Sequence, residues 1–222
     1  MARRYDLVIF DFDGTLADSL TWFRSAMGDV ADKHNLGPMC EERAEKLRSL
    51  TPKEIMSELN IPAWKLPFIA ADVRAMAAEN IDQIKLYDGI PEALKCLHAD
   101  GVKLAVVSSN GETAVREVLG EDLTGMIEQF ACGAALFGKA SVFRKVMKKA
   151  GVTPERTLSI GDEVRDIEAA REAGCDCGAV SWGFATPKVL EAQLPDAVFD
   201  TRGDMTDYAV SAVPANGAAQ PV

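Results

Sequence analysis

The sequence predicts an α/β protein, a parallel sheet between helices with an all-helical cap domain inserted after the first strand. Short runs rich in Val, Ile and Leu alternate with helical patterns through the second half of the chain, the pattern of a parallel sheet covered on both faces. A further such run opens VIFDFDGTLADS at residues 8–19 and ends on two aspartates. The segment from about Leu16 to Lys85 breaks the rhythm: it offers no strand and reads as helices.

Taken in order, strands are expected at Asp6 to Phe10, Lys103 to Val107, Gln129 to Cys132, Thr157 to Ile160, Cys177 to Val180 and Ala197 to Phe199. The interleaved helices include Gly111 to Leu119, Lys139 to Ala150 and Arg165 to Ala173. Within the insertion, Leu20, Phe23, Met27 and Val30 fall at helical spacing and predict a helix over 18–34, and a second covers 41–50. Thr51 then caps PKEIMSEL, with Pro52 at the first helical position and Glu54 three residues after the cap, a capping-box arrangement. A fourth helix is expected over 64–84. The division predicted is 1–16 and 86–208 for the α/β core and 17–85 for the cap. Residues 209–222 are expected to be a disordered tail, because VSAVPANGAAQPV carries small residues, two prolines and no charge.

With 222 residues, 48% of them hydrophobic, the chain can bury a substantial core. No apolar stretch approaches the roughly 18 to 20 residues of a membrane span. Arg3 and Arg4 resemble the basic start of an export signal, but the apolar run from Leu7 to Phe10 is short and ends in Asp11, so a cytoplasmic location is expected. The cysteines, Cys40, Cys96, Cys132, Cys175 and Cys177, lack zinc-site spacing and read as reduced core residues. A net charge of −10 argues against a nucleic-acid partner, whose binding rests on Lys and Arg. Oligomeric state is not legible.

Ligands of open parallel sheets bind beyond the carboxyl ends of the strands, where Asp11 and Asp13 stand. Two carboxylates so close repel unless a cation or a shared proton relieves them. Alone, DFDGT is also an ordinary turn. A second strand finishes at SIGDEVRDIEAAREAG, where Asp162 and Asp166, four apart, share a helix face. Taken by themselves, Asp162 and Glu163 could be simple partners of the helix dipole. Two strand ends delivering carboxylates make a hard, oxygen-rich site that suits Mg²⁺. Ser108, Ser109 and Asn110 close another strand before a helix, either as an N-cap or as a phosphate cradle. Lys139 follows Gly138 at a helix start; only that position distinguishes it from a solvated surface lysine.

Together DFDGTLADS, GDEVRDIEAAREAG, the serines and Lys139 resemble the haloacid dehalogenase superfamily, and within it the phosphoglycolate-phosphatase-like hydrolases, over about residues 5–200. The resemblance implies a Rossmann-like core with a helical cap between the first two motifs. It implies that Asp11 is the nucleophile forming an aspartyl-phosphate, and that Asp13 protonates the leaving oxygen and then activates water. Mg²⁺ is then expected on the Asp11 carboxylate, the Asp13 backbone carbonyl and Asp162, with Asp166 a ligand through water or a supporting partner. Ser108 and Lys139 match phosphate-binding positions, Ser109 adds a backbone amide, and Gly14 and Thr15 match the turn after the nucleophile. Ala140 departs from the commoner Gly-Lys-Pro pattern.

The expected activity is a Mg²⁺-dependent phosphatase acting on a small anionic phosphate ester, phosphoglycolate being the leading candidate. A sugar phosphomutase would need cap groups for a second phosphate, for which Arg48 and Lys53 are candidates beside their reading as solvated charges. A true haloacid dehalogenase has no need of a second acid, so Asp13 counts against it. Intact catalytic positions count against a non-catalytic binding protein.

Overall fold

The computed structural model describes residues 4–133 and 138–211. Its strands are β1 (Leu7–Phe10), β2 (Lys103–Val107), β3 (Ile127–Ala131), β4 (Thr157–Gly161), β5 (Asp176–Val180) and β6 (Ala197–Phe199). They form one sheet in the order β3-β2-β1-β4-β5-β6, and every pairing is parallel. Among the strands the largest departure from expectation is β3, which starts two residues early. It is an edge strand with buried Ile127 and Gln129 but exposed Glu128, so its apolar run is weak.

The insertion forms α1 (Ser19–His34), α2 (Glu41–Arg48), α3 (Pro52–Glu58) and α4 (Leu66–Glu79). The capping box at Thr51 is formed: the Thr51 amide donates to Glu54 Oε2 at 2.8 Å and the Glu54 amide to Thr51 Oγ1 at 3.4 Å. Helix α4 is shorter than the expected 64–84, with single 3-10 turns at Ala63–Lys65 and Ile81–Gln83. Pro67 is tolerated only in a first turn, which fits a start at Leu66. The chain leaves and re-enters the core side by side: Ala17 bridges Leu86, the Asp18 amide donates to Lys85 O at 2.7 Å, and the Tyr87 amide to Leu16 O at 3.0 Å.

The core adds α5 (Ile90–Ala99), α6 (Glu112–Thr124), α7 (Lys139–Ala150), α8 (Val164–Ala173), α9 (Pro187–Glu191) and α10 (Arg202–Val210). Side-chain alternation divides the strands between two apolar layers. Val8, Phe10, Leu104, Val106, Leu158 and Ile160 pack with Leu94 and Leu97 of α5 and Met205 of α10. Leu7, Ile9, Ala105 and Val107 pack on the other face with Phe143 of α7 and Ile167 of α8. A one-residue slip would exchange the two sets, so burial on both faces fixes the register that aligns the strand ends.

Helix α10 carries Ala209, fully buried, and Val210, so residues 209 and 210 are helix and not the tail expected there; 212–222, the rest of that expected tail, lies outside the described residues. A capping box at Thr201 and Asp204 starts α10, and Tyr208 packs edge-on against Phe199 with ring centroids 5.4 Å apart. All five cysteines are free, but Cys40 and Cys96 are exposed and Cys132 is half-buried, a correction to the core reading that holds for Cys175 and Cys177. Among the described residues no helix is long and apolar enough to cross a membrane.

Candidate active site

Strand β1 is central, and the sheet order turns between β1 and β4, the switch point where a crevice opens beyond the strand ends. Phe10 is in register with Val106 and Ile160, so the next residues of the three strands, Asp11, Val107 and Gly161, finish at one level. Asp11 continues the ladder through its amide, which donates to Ile160 O at 2.8 Å. The chain then reverses tightly: Phe12 O accepts from the amides of Leu16 and Ala17, both at 2.9 Å, and Gly14 takes φ +72°.

Asp11, Asp162 and Asp166 come together here, each offering a carboxylate oxygen within 4.8 Å of the others. All are buried, at 6%, 0% and 1% exposure. Lys139, the first residue of α7, places Nζ 3.0 Å from Asp11 Oδ1 and 2.5 Å from Asp166 Oδ1. Asp162 accepts from Thr15 Oγ1 at 2.9 Å and from the Phe184 amide at 2.7 Å. Asp166 accepts from the Glu163 amide at 3.1 Å and starts α8.

Burial sets the charge states. It pushes the Asp11 carboxyl up while Lys139 pulls it back, and it pushes Asp162 well up, reinforced by the charges of Glu163, Asp11 and Asp166. Burial also acts on Asp166, but Lys139 and Arg165 overcome it and hold that carboxyl below its ordinary value. For Asp13, burial and the neighbouring Asp11 charge raise the pKa to about 6. The carboxylates Asp11, Asp13, Asp162, Glu163 and Asp166 face the cations Lys139 and Arg165, an excess of negative charge. Crowded, buried, all-oxygen donors that burial would otherwise protonate are what a hard divalent cation such as Mg²⁺ fits.

Asn110 holds Asp13, donating from Nδ2 to Oδ1 at 3.1 Å and Oδ2 at 2.9 Å. The Ser108 hydroxyl accepts from the Asn110 amide at 3.0 Å, so the turn after β2 is drawn onto Asp13. A cavity of about 520 Å³ opens beside these groups. Asp13, Ser109, Asn110 and Lys139 line its core side, with Arg165, while Trp22, Phe23, Ile55, Ile69 and Arg74 belong to its cap side. Ser108, 1% exposed, is buried behind that wall.

Asp11, Asp13, Asp162, Asp166, Ser109 and Lys139 thus come together, and Ser108 stands one hydrogen bond behind Asn110. Arg48 and Lys53 do not: neither lines this cavity. Arg48 donates from Nε to Phe184 O at 3.0 Å and from Nη2 to Gly183 O at 2.9 Å, and Lys53 is exposed on α3. Sequence reasoning missed Arg165, whose Nη2 meets Glu163 Oε1 at 2.6 Å, and the 183–184 loop that grips Asp162. The only trace of that loop in the sequence is WGF after an apolar strand.

The haloacid dehalogenase-like hydrolase family matches residues 8–180. Phosphoglycolate phosphatase of Synechococcus elongatus is 27% identical over 199 residues, 89% of this chain and 94% of that protein. Tyrosine-protein kinase PtkA of Mycobacterium tuberculosis is 32% identical over 202 residues, 83% of this chain and 65% of that protein. Among solved structures, a haloacid dehalogenase-like family hydrolase from Streptococcus pneumoniae superposes with a TM-score of 0.73 at 18% identity, covering 92% of this chain and 98% of that one. At that identity the likeness is one of fold. The family match spans the strands that carry Asp11 and Asp162, and by it the chain belongs to the haloacid dehalogenase-like hydrolases.

Proposed function

We propose that this hydrolase is a Mg²⁺-dependent cytoplasmic phosphatase that cleaves a small phosphorylated metabolite, phosphoglycolate first among candidates, through an aspartyl-phosphate on Asp11. The observation that carries this reading is the unlike treatment of two neighbouring aspartates. Asp11 is buried against a lysine, whereas Asp13 is held by Asn110 at the cavity wall with its pKa raised to about 6. Paired carboxyls with separated environments divide acid and nucleophile roles.

In this mechanism Asp11 Oδ attacks phosphorus and the ester oxygen leaves, taking its proton from Asp13. Asp13, now ionised, then accepts a proton from water as its oxygen attacks the acyl phosphate, releasing phosphate and restoring Asp11. Lys139 neutralises charge on the transferring oxygens and Ser109 at the cavity wall orients them, while Ser108 holds the turn from behind through the Asn110 amide. Asp11, Asp162 and the Asp13 carbonyl would hold Mg²⁺, with Asp166 supporting through water, and the ion would screen the nucleophile from an anionic substrate.

Residues 1–16 and 86–208 form the reacting core in this reading and 17–85 the cap that closes the cavity. Arg74 and Arg165 on the cavity wall offer charge suited to the carboxylate of phosphoglycolate, and the similarity to the Synechococcus enzyme supports the same substrate. The mutase alternative loses support because its expected phosphate ligands, Arg48 and Lys53, do not line the cavity. The test is Asp11→Asn with an aryl phosphate and Mg²⁺: turnover is expected to vanish with circular dichroism unchanged, and retained Mg²⁺-dependent turnover would overturn the assignment. A panel of phosphate esters, phosphoglycolate and a hexose phosphate among them, then identifies the substrate.

A further inference from the structure

We propose that Arg48 is a positioning residue that couples cap closure to the placement of Asp162, the inference resting on the reading of Asp162 as a metal ligand. Arg48 ends α2 in the cap, yet its guanidinium hydrogen-bonds the core. Nε donates to Phe184 O at 3.0 Å and Nη2 to Gly183 O at 2.9 Å. Its own carbonyl accepts from the Thr186 amide at 3.1 Å, so the contact runs in both directions. Glu45 pins the remaining nitrogen, with Nη1 at 2.9 Å from Oε2, and also receives Arg24 Nη2 at 2.9 Å.

The loop that Arg48 grips is the one that grips Asp162. The Phe184 amide donates to Asp162 Oδ2 at 2.7 Å and the Ala185 amide to Asp162 O at 3.3 Å. Gly183 packs so closely that a Cβ there would lie 2.2 Å from Asp162 Cβ. Phe23 of α1 adds a second cap contact to the same loop, its ring 5.8 Å from that of Phe184 and edge-on to it. A peptide unit whose carbonyl is held by the cap and whose neighbouring amide holds the carboxylate transmits displacement over one residue. Opening the cap frees Gly183 and Phe184, and with them the hydrogen bond that aims Asp162. Arg48 also explains why a cap cation need not contact substrate: its planar fork is saturated by two carbonyls and a carboxylate.

The test compares the full chain with Arg48→Met, which keeps an apolar stem of similar length while removing every donor, and with Arg48→Lys. Hydrogen exchange of the peptide containing 183–186 is read alongside Mg²⁺ binding by calorimetry, metal alone. A charge-assisted hydrogen bond is worth about tenfold or more in an equilibrium. Arg48→Met is therefore expected to speed exchange at 183–186 on the order of tenfold, leave strand β5 unchanged, and weaken Mg²⁺ binding several-fold, with Arg48→Lys between. Unaltered exchange overturns the proposal. So does faster exchange with unaltered metal affinity, because the arginine would then hold the cap without reaching Asp162. If the wild-type chain neither binds Mg²⁺ nor cleaves a phosphate ester, the phosphatase reading fails by itself. Exchange at the Phe184 amide, which needs neither metal nor substrate, still decides the latch.

Discussion

Lys139 Nζ lies 3.0 Å from Asp11 Oδ1, at the start of a helix packed on the face of the sheet opposite the one that buries Phe10. Despite burial, Asp11 and Asp166 hold its ammonium above the ordinary lysine range, so it stays charged at every working pH. In the proposed mechanism a fixed cation this close to Asp11 also lies within reach of the group under attack. Lys139→Met is expected to lower kcat about 10²- to 10³-fold, the range for losing one preorganised donor to developing charge. Steady-state kinetics on an aryl phosphate checks this, with a thermal melt to confirm folding; a loss below about fivefold would place the lysine outside the chemistry.

In the proposed mechanism the need for Asp13 as proton donor depends on the leaving group. An alkoxide leaves poorly and needs the proton, whereas a nitrophenolate leaves without one. Asp13→Asn is therefore expected to slow alkyl phosphates by about 10²- to 10⁴-fold and a nitrophenyl phosphate much less in the first step. Single-turnover measurements separate formation of the acyl phosphate from its hydrolysis. Equal loss on both ester classes in the first step would remove Asp13 from the acid role.

The same substitution should stabilise the metal-free protein. The folded-state pKa of Asp13, about 6, exceeds its unfolded value, so the fold favours the neutral form. That contribution is complete below about pH 4 and is lost as pH rises through 6, on the order of 2 to 3 kcal/mol in all. Asparagine stays neutral throughout. In urea melts without metal, Asp13→Asn and wild type should be equally stable near pH 4, and the variant should be the more stable at pH 8. Mg²⁺ should narrow the gap, since it relieves the charge that burial opposes. A variant less stable than wild type at pH 8 would contradict the electrostatic account.

Local signals carried most of the fold. Apolar runs marked the strands because burial on both faces removes alternation, and the Thr51, Pro52 and Glu54 capping box is a local device that forms as written. Asp11 and Asp162 were legible because each ends such a run. Arg48 was not: nothing in its neighbours announces that its partners are carbonyls 135 and 136 residues away. Arg165 was passed over for a related reason, as its pairing with Glu163 looks like ordinary surface charge until α8 is turned toward the cavity. Backbone partners and helix facing are set by tertiary packing, and one sequence does not print them.

Gly183 offers the sharpest test of how tightly Asp162 is held. No positive φ requires glycine there; the constraint is space, since an added Cβ would sit 2.2 Å from Asp162 Cβ and 2.4 Å from Oδ2. Either the loop retreats, breaking the Phe184 amide bond to Oδ2, or the carboxylate swings away from Thr15. Both routes misplace a carboxylate that the proposed mechanism assigns to Mg²⁺. Gly183→Ala is expected to cost about 1 to 3 kcal/mol of stability, as overpacking does, and to blunt the rise in melting temperature on adding Mg²⁺. Gly111→Ala, where an added Cβ meets nothing within 4 Å, is the control for a glycine replaced without crowding. If the two variants respond equally to Mg²⁺, the close fit around Asp162 is not what aims it.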